Sequence, residues 1–93
     1  MAEFIVELYV SRSDPGAVSD AAKRARVAAD ELTQGGEPIR YVRAIFVPED
    51  ETCFFLYEAG SADVVRAAAA RAGLRSGRVT EALGERKGEE ACL

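Results

Sequence analysis

Histidine and tryptophan are absent from this chain, and its 93 residues include one methionine, three prolines and two cysteines. Without histidine it lacks the commonest general base near neutral pH and the commonest nitrogen ligand for a transition metal. A nucleophilic cysteine would likewise have no imidazole to activate it. Cys53 and Cys92 are too few for a disulfide framework and read as free thiols in a reducing compartment, so the cytoplasm is the expected location. No apolar run approaches the roughly 20 residues of a membrane span. The start, Met1-Ala2-Glu3-Phe4-Ile5-Val6-Glu7, carries two acidic residues and reads neither as a signal peptide nor as a span. Positive charge is also short. Twelve basic against sixteen acidic residues leave a net charge of −4, which argues against nucleic acid and anionic membranes as partners.

What is present fits one domain with one core: apolar residues make up 48% and charged residues 30%. Phe4, Val6, Leu8 and Val10 alternate with Glu3, Ile5, Glu7 and Tyr9, the period of a strand. Asp14-Pro15 reads as an N-cap followed by proline in the first turn. From Ala17 to about Thr33 the period becomes helical. Val18, Ala22, Ala25, Ala29 and Leu32 lie on one stripe, Asp20–Arg24 is an i,i+4 pair, and Gly35-Gly36 is the stop.

Ile39 to Val47 and Thr52 to Tyr57 read as two strands joined by the polar turn Pro48-Glu49-Asp50-Glu51. Strict alternation places Tyr41 and Ile45 on one side of the first, and Cys53, Phe55 and Tyr57 on one side of the second. Ser61 caps a second helix through Ala72, with Asp63 in its first turn and Val65, Ala68, Ala69 and Ala72 inward. Gly73-Leu74 ends that helix, and Arg78 to Leu83 is a weaker last strand. Residues 1–84 therefore read as one α+β domain, and residues 85–93 as a flexible charged tail.

The order βαββαβ predicts a ferredoxin-like sandwich, a four-stranded antiparallel sheet with both helices on one face. The other face is left bare. Alternation puts Ile5, Tyr9, Tyr41, Ile45, Phe55 and Tyr57 on it, more apolar surface than a small monomer leaves in water. A homodimer through the open sheet faces, a pairing of the dimeric α/β-barrel kind, is the expectation.

Phe4-Ile5-Val6-Glu7, Tyr41-Val42-Arg43, Val47-Pro48-Glu49-Asp50-Glu51-Thr52, Tyr57-Glu58-Ala59, Val64-Val65-Arg66 and Gly77-Arg78-Val79 resemble, over residues 3–83, a family of small bacterial proteins. That family is named after a nickel-binding, nickel-responsive member and is otherwise a domain of unknown function. The resemblance implies a ferredoxin-like fold, a dimer and, for some members, divalent-metal binding. It also implies histidines, in some members, at the positions of Arg43 and Ala68. This chain departs from that pattern, and no metal or other cofactor is expected in it.

The candidate site is a cleft on the open sheet face lined by Glu7, Tyr9, Tyr41, Arg43 and Tyr57, with Thr80 nearby. A carboxylate beside an arginine and phenols suits a small polar ligand; as an ion pair, the same residues would fix dimer register. Cys53 reads as a core thiol, Cys92 as incidental, and the Glu49-Asp50-Glu51 tip as a solvated turn. Gly35-Gly36 follows a helix instead of opening one, so no phosphate-cradling loop is present. Three functions fit: a small dimeric ligand-binding or stress-accessory protein, a cofactorless dimeric α/β-barrel enzyme of monooxygenase or isomerase type acting in the cleft, or a structural or protein-interaction module. Catalytic residues are not identifiable, because the fold hosts many functions.

Overall fold

The computed structural model describes residues 1–74 and 78–84. The expected tail, with Cys92, lies outside the described residues. The elements run β1 (Ala2–Tyr9), α1 (Gly16–Gln34), β2 (Ile39–Val47), β3 (Thr52–Ala59), α2 (Ala62–Arg71) and β4 (Arg78–Ala82). The strands pair antiparallel in the order β2-β3-β1-β4. This is the ferredoxin-like βαββαβ arrangement that the sequence predicts.

Pairing register sorts the side chains, because residues directly opposite in an antiparallel pair share a face. Phe4 lies opposite Tyr57, Val6 opposite Phe55, and Leu8 opposite Cys53. Tyr57 in turn faces Tyr41, and Phe55 faces Ala44. Phe4, Val6, Cys53, Phe55 and Tyr57 are buried with Ala21, Ala25, Ala28 and Ala29 of α1 and Val65, Ala68 and Ala69 of α2. This face is therefore the helix-covered one. Alanine dominates both helices' inner stripes, which lets them sit close on the sheet.

The placement of Tyr41, Phe55 and Tyr57 on the open face is thus corrected: all three point toward the helices. Two things defeat simple alternation. In β3 both faces are apolar, so the sequence cannot tell which set the helices cover. In β2 a bulge lies between Tyr41, opposite Tyr57, and Arg43, opposite Leu56. The extra residue, Val42, reverses the parity of everything after it. Tyr41 consequently faces the helices while Arg43 and Ile45 face the open side.

The punctuation is close to expectation. Ser61 Oγ accepts from Val64 N at 3.4 Å, capping α2. Gly73 takes φ 74°, and Leu74 N donates to Ala69 O at 2.9 Å while its side chain is buried. Gly36, at φ 94°, closes α1 in the same way, with Glu37 N donating to Leu32 O at 2.9 Å. At its start, α1 differs. Pro15 already has helical angles, and no side chain caps the helix. Nor does the Asp20–Arg24 pair form among the described ion pairs: Arg24 Nε donates instead to Ala72 O, at 2.9 Å, at the end of α2.

Candidate functional site

The open face carries Glu3, Ile5, Glu7 and Tyr9 from β1, Arg40, Arg43, Ile45 and Val47 from β2, and Thr52, Phe54, Leu56 and Glu58 from β3. These sets are opposite one another by register: Ile5 to Leu56, Glu7 to Phe54, Arg43 to Leu56 and Ile45 to Phe54. At its centre sit Ile5, Phe54 and Leu56, half-buried, beside Ile45, which is 43% exposed. The acids Glu3 and Glu7 lie on the β1 side, and Arg40 and Arg43 on the β2 side. Arg40 is already paired, its Nε donating to Glu58 Oε1 at 2.7 Å.

Of the five predicted site residues, three share this face. Glu7 lies opposite Phe54 on one flank and Arg78 on the other. Arg43 lies across β3 from Glu7, so within one chain Phe54 and Leu56 stand between them and no ion pair joins them. Tyr9 ends β1, 70% exposed, with its hydroxyl donating to Glu51 Oε2 at 3.5 Å. Thr80 is on the same face, opposite Ile5.

Tyr41 and Tyr57 form a separate group under α1. Their rings meet edge to face, with centroids 5.6 Å apart, and the Arg26 guanidinium lies 5.9 Å from the Tyr41 centroid. Burial raises the pKa of both phenols; Arg26 partly offsets the rise at Tyr41, and Tyr41 adds to it at Tyr57. Burial likewise raises that of the Cys53 thiol, so it has little thiolate character for chemistry. The Tyr57 hydroxyl is buried without a hydrogen-bond partner.

Glu51 has a role the sequence reading missed. It ends the turn of 3-10 helix over Pro48–Asp50 in the left-handed region, at φ 49°. Its Oε2 accepts from Arg12 N at 3.0 Å, tying the hairpin tip to the loop after β1. A non-glycine residue in that conformation needs such support. The acidic run of the turn was the available signal, but composition alone does not distinguish a solvated carboxylate from a tethered one.

The fold and the half-apolar open sheet define a ferredoxin-like α+β protein with one face unpartnered in the single chain. A family model described as nickel responsive protein, SCO4226-like, matches residues 9–82. The chain belongs to that small bacterial family. The crystal structure of SCO4226 from Streptomyces coelicolor A3(2) superposes with a TM-score of 0.69 at 21% identity, over 91% of this chain and 100% of that one, a likeness in fold. No curated protein matches.

The donor set here does not fit the metal in the family's description. There is no histidine, and among the described residues no three Cys, Asp or Glu side chains converge as a metal site would require. Arg43 and Ala68, the positions the resemblance pairs with histidines, lie on opposite sides of the sheet. Arg43 is exposed on the open face and Ala68 is fully buried on the inner face of α2. No helix among the described residues is long and apolar enough to cross a membrane.

Proposed function

We propose that the chain acts as a cytoplasmic homodimer, paired sheet to sheet, whose facing sheets hold a small polar ligand other than nickel. The observation that carries this reading is the composition of the open face: an apolar centre of Ile5, Phe54, Leu56 and Ile45, flanked by Glu3 and Glu7 on β1 and by Arg40 and Arg43 on β2, with Arg78 of β4 outside Glu7. A two-fold axis running along β3, between the sheets, lays β1 of one protomer over β2 of its partner. Glu7 then lies over the partner's Ile45, two residues (about 7 Å) along the strand from the partner's Arg43. This diagonal pair is within reach of long side chains and occurs twice by symmetry, and the apolar centres cover each other. Glu7, Arg43 and Tyr9 are the ligand contacts in this reading. Tyr41 and Tyr57, on the far side of the sheet, take no part.

The test is mass and coupling together. Light scattering at micromolar concentration should return about twice the 10.0 kDa chain mass, and Leu56→Lys should return one chain mass while keeping the helical circular dichroism. A monomeric wild type sinks the pairing. In the dimer, Glu7→Gln and Arg43→Met should be strongly non-additive, with a coupling of about 0.5–3 kcal/mol; additive losses would mean that the two never meet. Calorimetry with nickel should show no site tighter than about 10 μM, because scattered carboxylates bind it weakly. A submicromolar stoichiometric site would overturn that part of the reading.

A further inference from the structure

The helix layer, on the side of the molecule away from the open face, carries a groove of about 280 Å³ lined by Lys23, Arg24, Val27, Ala28, Glu31 and Arg71. Its charge runs against that of the whole chain. Three cations and one carboxylate surround it in a protein of net −4. Its floor is apolar: Ala28 is buried, while Val27 is 55% exposed, although it sits on a helix otherwise polar on its outer side.

Two of the cations are held in place. Arg24 Nε is bound to Ala72 O at 2.9 Å, which fixes the guanidinium at the rim and leaves its terminal nitrogens available. Arg71 Nη1 reaches Glu31 Oε1 across the groove, at 3.3 Å. Lys23 makes no ion pair among the described residues. The single carboxylate of the lining is therefore shared with one cation, and the other two make no ion pair among the described residues, with Asp20 one turn before them outside the groove. Aliphatic stems of long cationic side chains extend such a floor while their charged heads stay at the rim.

We propose that this groove binds a small carboxylate with an apolar body, a short acyl or aryl anion. The body would lie on Val27 and Ala28, and the carboxylate would meet Lys23 and the terminal nitrogens of Arg24. An open groove of this size is at the small end of ligand sites, which suits a compact ligand and weak binding. The site does not depend on the sheet pairing proposed above, since it lies on the other layer.

The probes are hexanoate, hexan-1-ol and inorganic phosphate, each titrated into the full chain labelled with nitrogen-15. Hexanoate should move the amides of Lys23 to Glu31 and of Arg71 saturably, with a midpoint at or below about 10 mM. Hexanol, which lacks the charge, and phosphate, which lacks the body, should each bind several-fold more weakly. Lys23→Ala should weaken hexanoate about two- to fivefold, the range of an exposed charge pair. Val27→Asp should weaken it more, and both side chains lie outside the core, so the amide spectrum reports directly that the fold is kept. The proposal fails if hexanol matches hexanoate, if phosphate matches it, or if Val27→Asp changes nothing. It also fails if the shifts fall on Ile5 and Leu56 of the sheet, or if none saturates.

Discussion

Phe55 and Leu56 are consecutive residues of β3, and they live in different solvents. Phe55 is fully buried between the sheet and the helices. Leu56 stands on the other face beside Ile5 and Arg43, half in water. Among the described residues the covered face has no buried charged side chain, and it draws its packing from both helices. The open face mixes isoleucine, leucine and phenylalanine with glutamate and arginine, a composition closer to a protein interface than to a core or a free surface. A single chain can satisfy the first face by itself. It leaves the second half-finished.

The largest expected effect separates the two faces directly. Phe55→Ala should cost about 3–5 kcal/mol in urea denaturation, because it empties a closed site. Leu56→Ala, measured in protein dilute enough to be monomeric, should cost about 1 kcal/mol or less, as surface changes do. At higher concentration the Leu56 variant should fall further behind the wild type, because it also weakens association. Equal costs for the two variants at every concentration would erase the distinction between the faces.

A smaller effect probes how β2 changes sides. Val42 is the extra residue of the bulge, so deleting it should restore plain alternation without moving Ile39, Tyr41, Ala44 or Phe46 from the covered face. The deletion should cost well under the Phe55→Ala loss, and the amide spectrum of β3 should keep its pattern. Inserting a residue at the same point also makes the Tyr41–Ala44 spacing even and keeps Ala44 and Phe46 inward, but it needs a larger bulge or a two-residue slide of β2 along β3, so it should cost more than the deletion.

That bulge also marks where the sequence stops being legible. Element order, both glycine helix stops, the Ser61 cap and the antiparallel hairpin can be read from residue types, because each is a local conformational requirement. The parity of β2 beyond Tyr41 cannot, since no glycine or proline signals the bulge. β3 is ambiguous for another reason: Cys53-Phe54-Phe55-Leu56-Tyr57 is apolar on both sides, and only its register with β1 decides which side is dry. The candidate site shows both effects. Alternation puts Glu7, Tyr9 and Arg43 on the face where the register has them, whereas Tyr41 and Tyr57 lie on the opposite one. The tether at Glu51 and the groove over Val27 depend on contacts between distant segments, which periodicity does not encode.

The smallest expected effect concerns the one imperfection of the covered face. The Tyr57 hydroxyl has left water without gaining a partner. An unmade hydrogen bond of that kind costs the folded state, whereas the unfolded chain hydrates the group freely. Tyr57→Phe should therefore stabilise the protein, by about 1 kcal/mol, and the ring contact with Tyr41 should survive. The same burial raises the phenol's pKa in the folded state above its ordinary value near 10.0, with the neighbouring Tyr41 phenol adding to the rise. Below pH 10 both states keep the proton, and Tyr57 makes stability independent of pH. Above it the unfolded chain ionises while the native phenol stays neutral, so stability falls, by up to about 1.4 kcal/mol per pH unit for this one group. Tyr41, Cys53 and the Arg26 charge face the same cluster, and they are common to wild type and variant. The difference between the two proteins isolates Tyr57: the advantage of Tyr57→Phe should be constant up to about pH 10 and widen beyond it. If the variant is instead less stable at neutral pH and parallels the wild type at high pH, the hydroxyl is satisfied in solution, and the covered face is as complete in its polar bonding as in its packing.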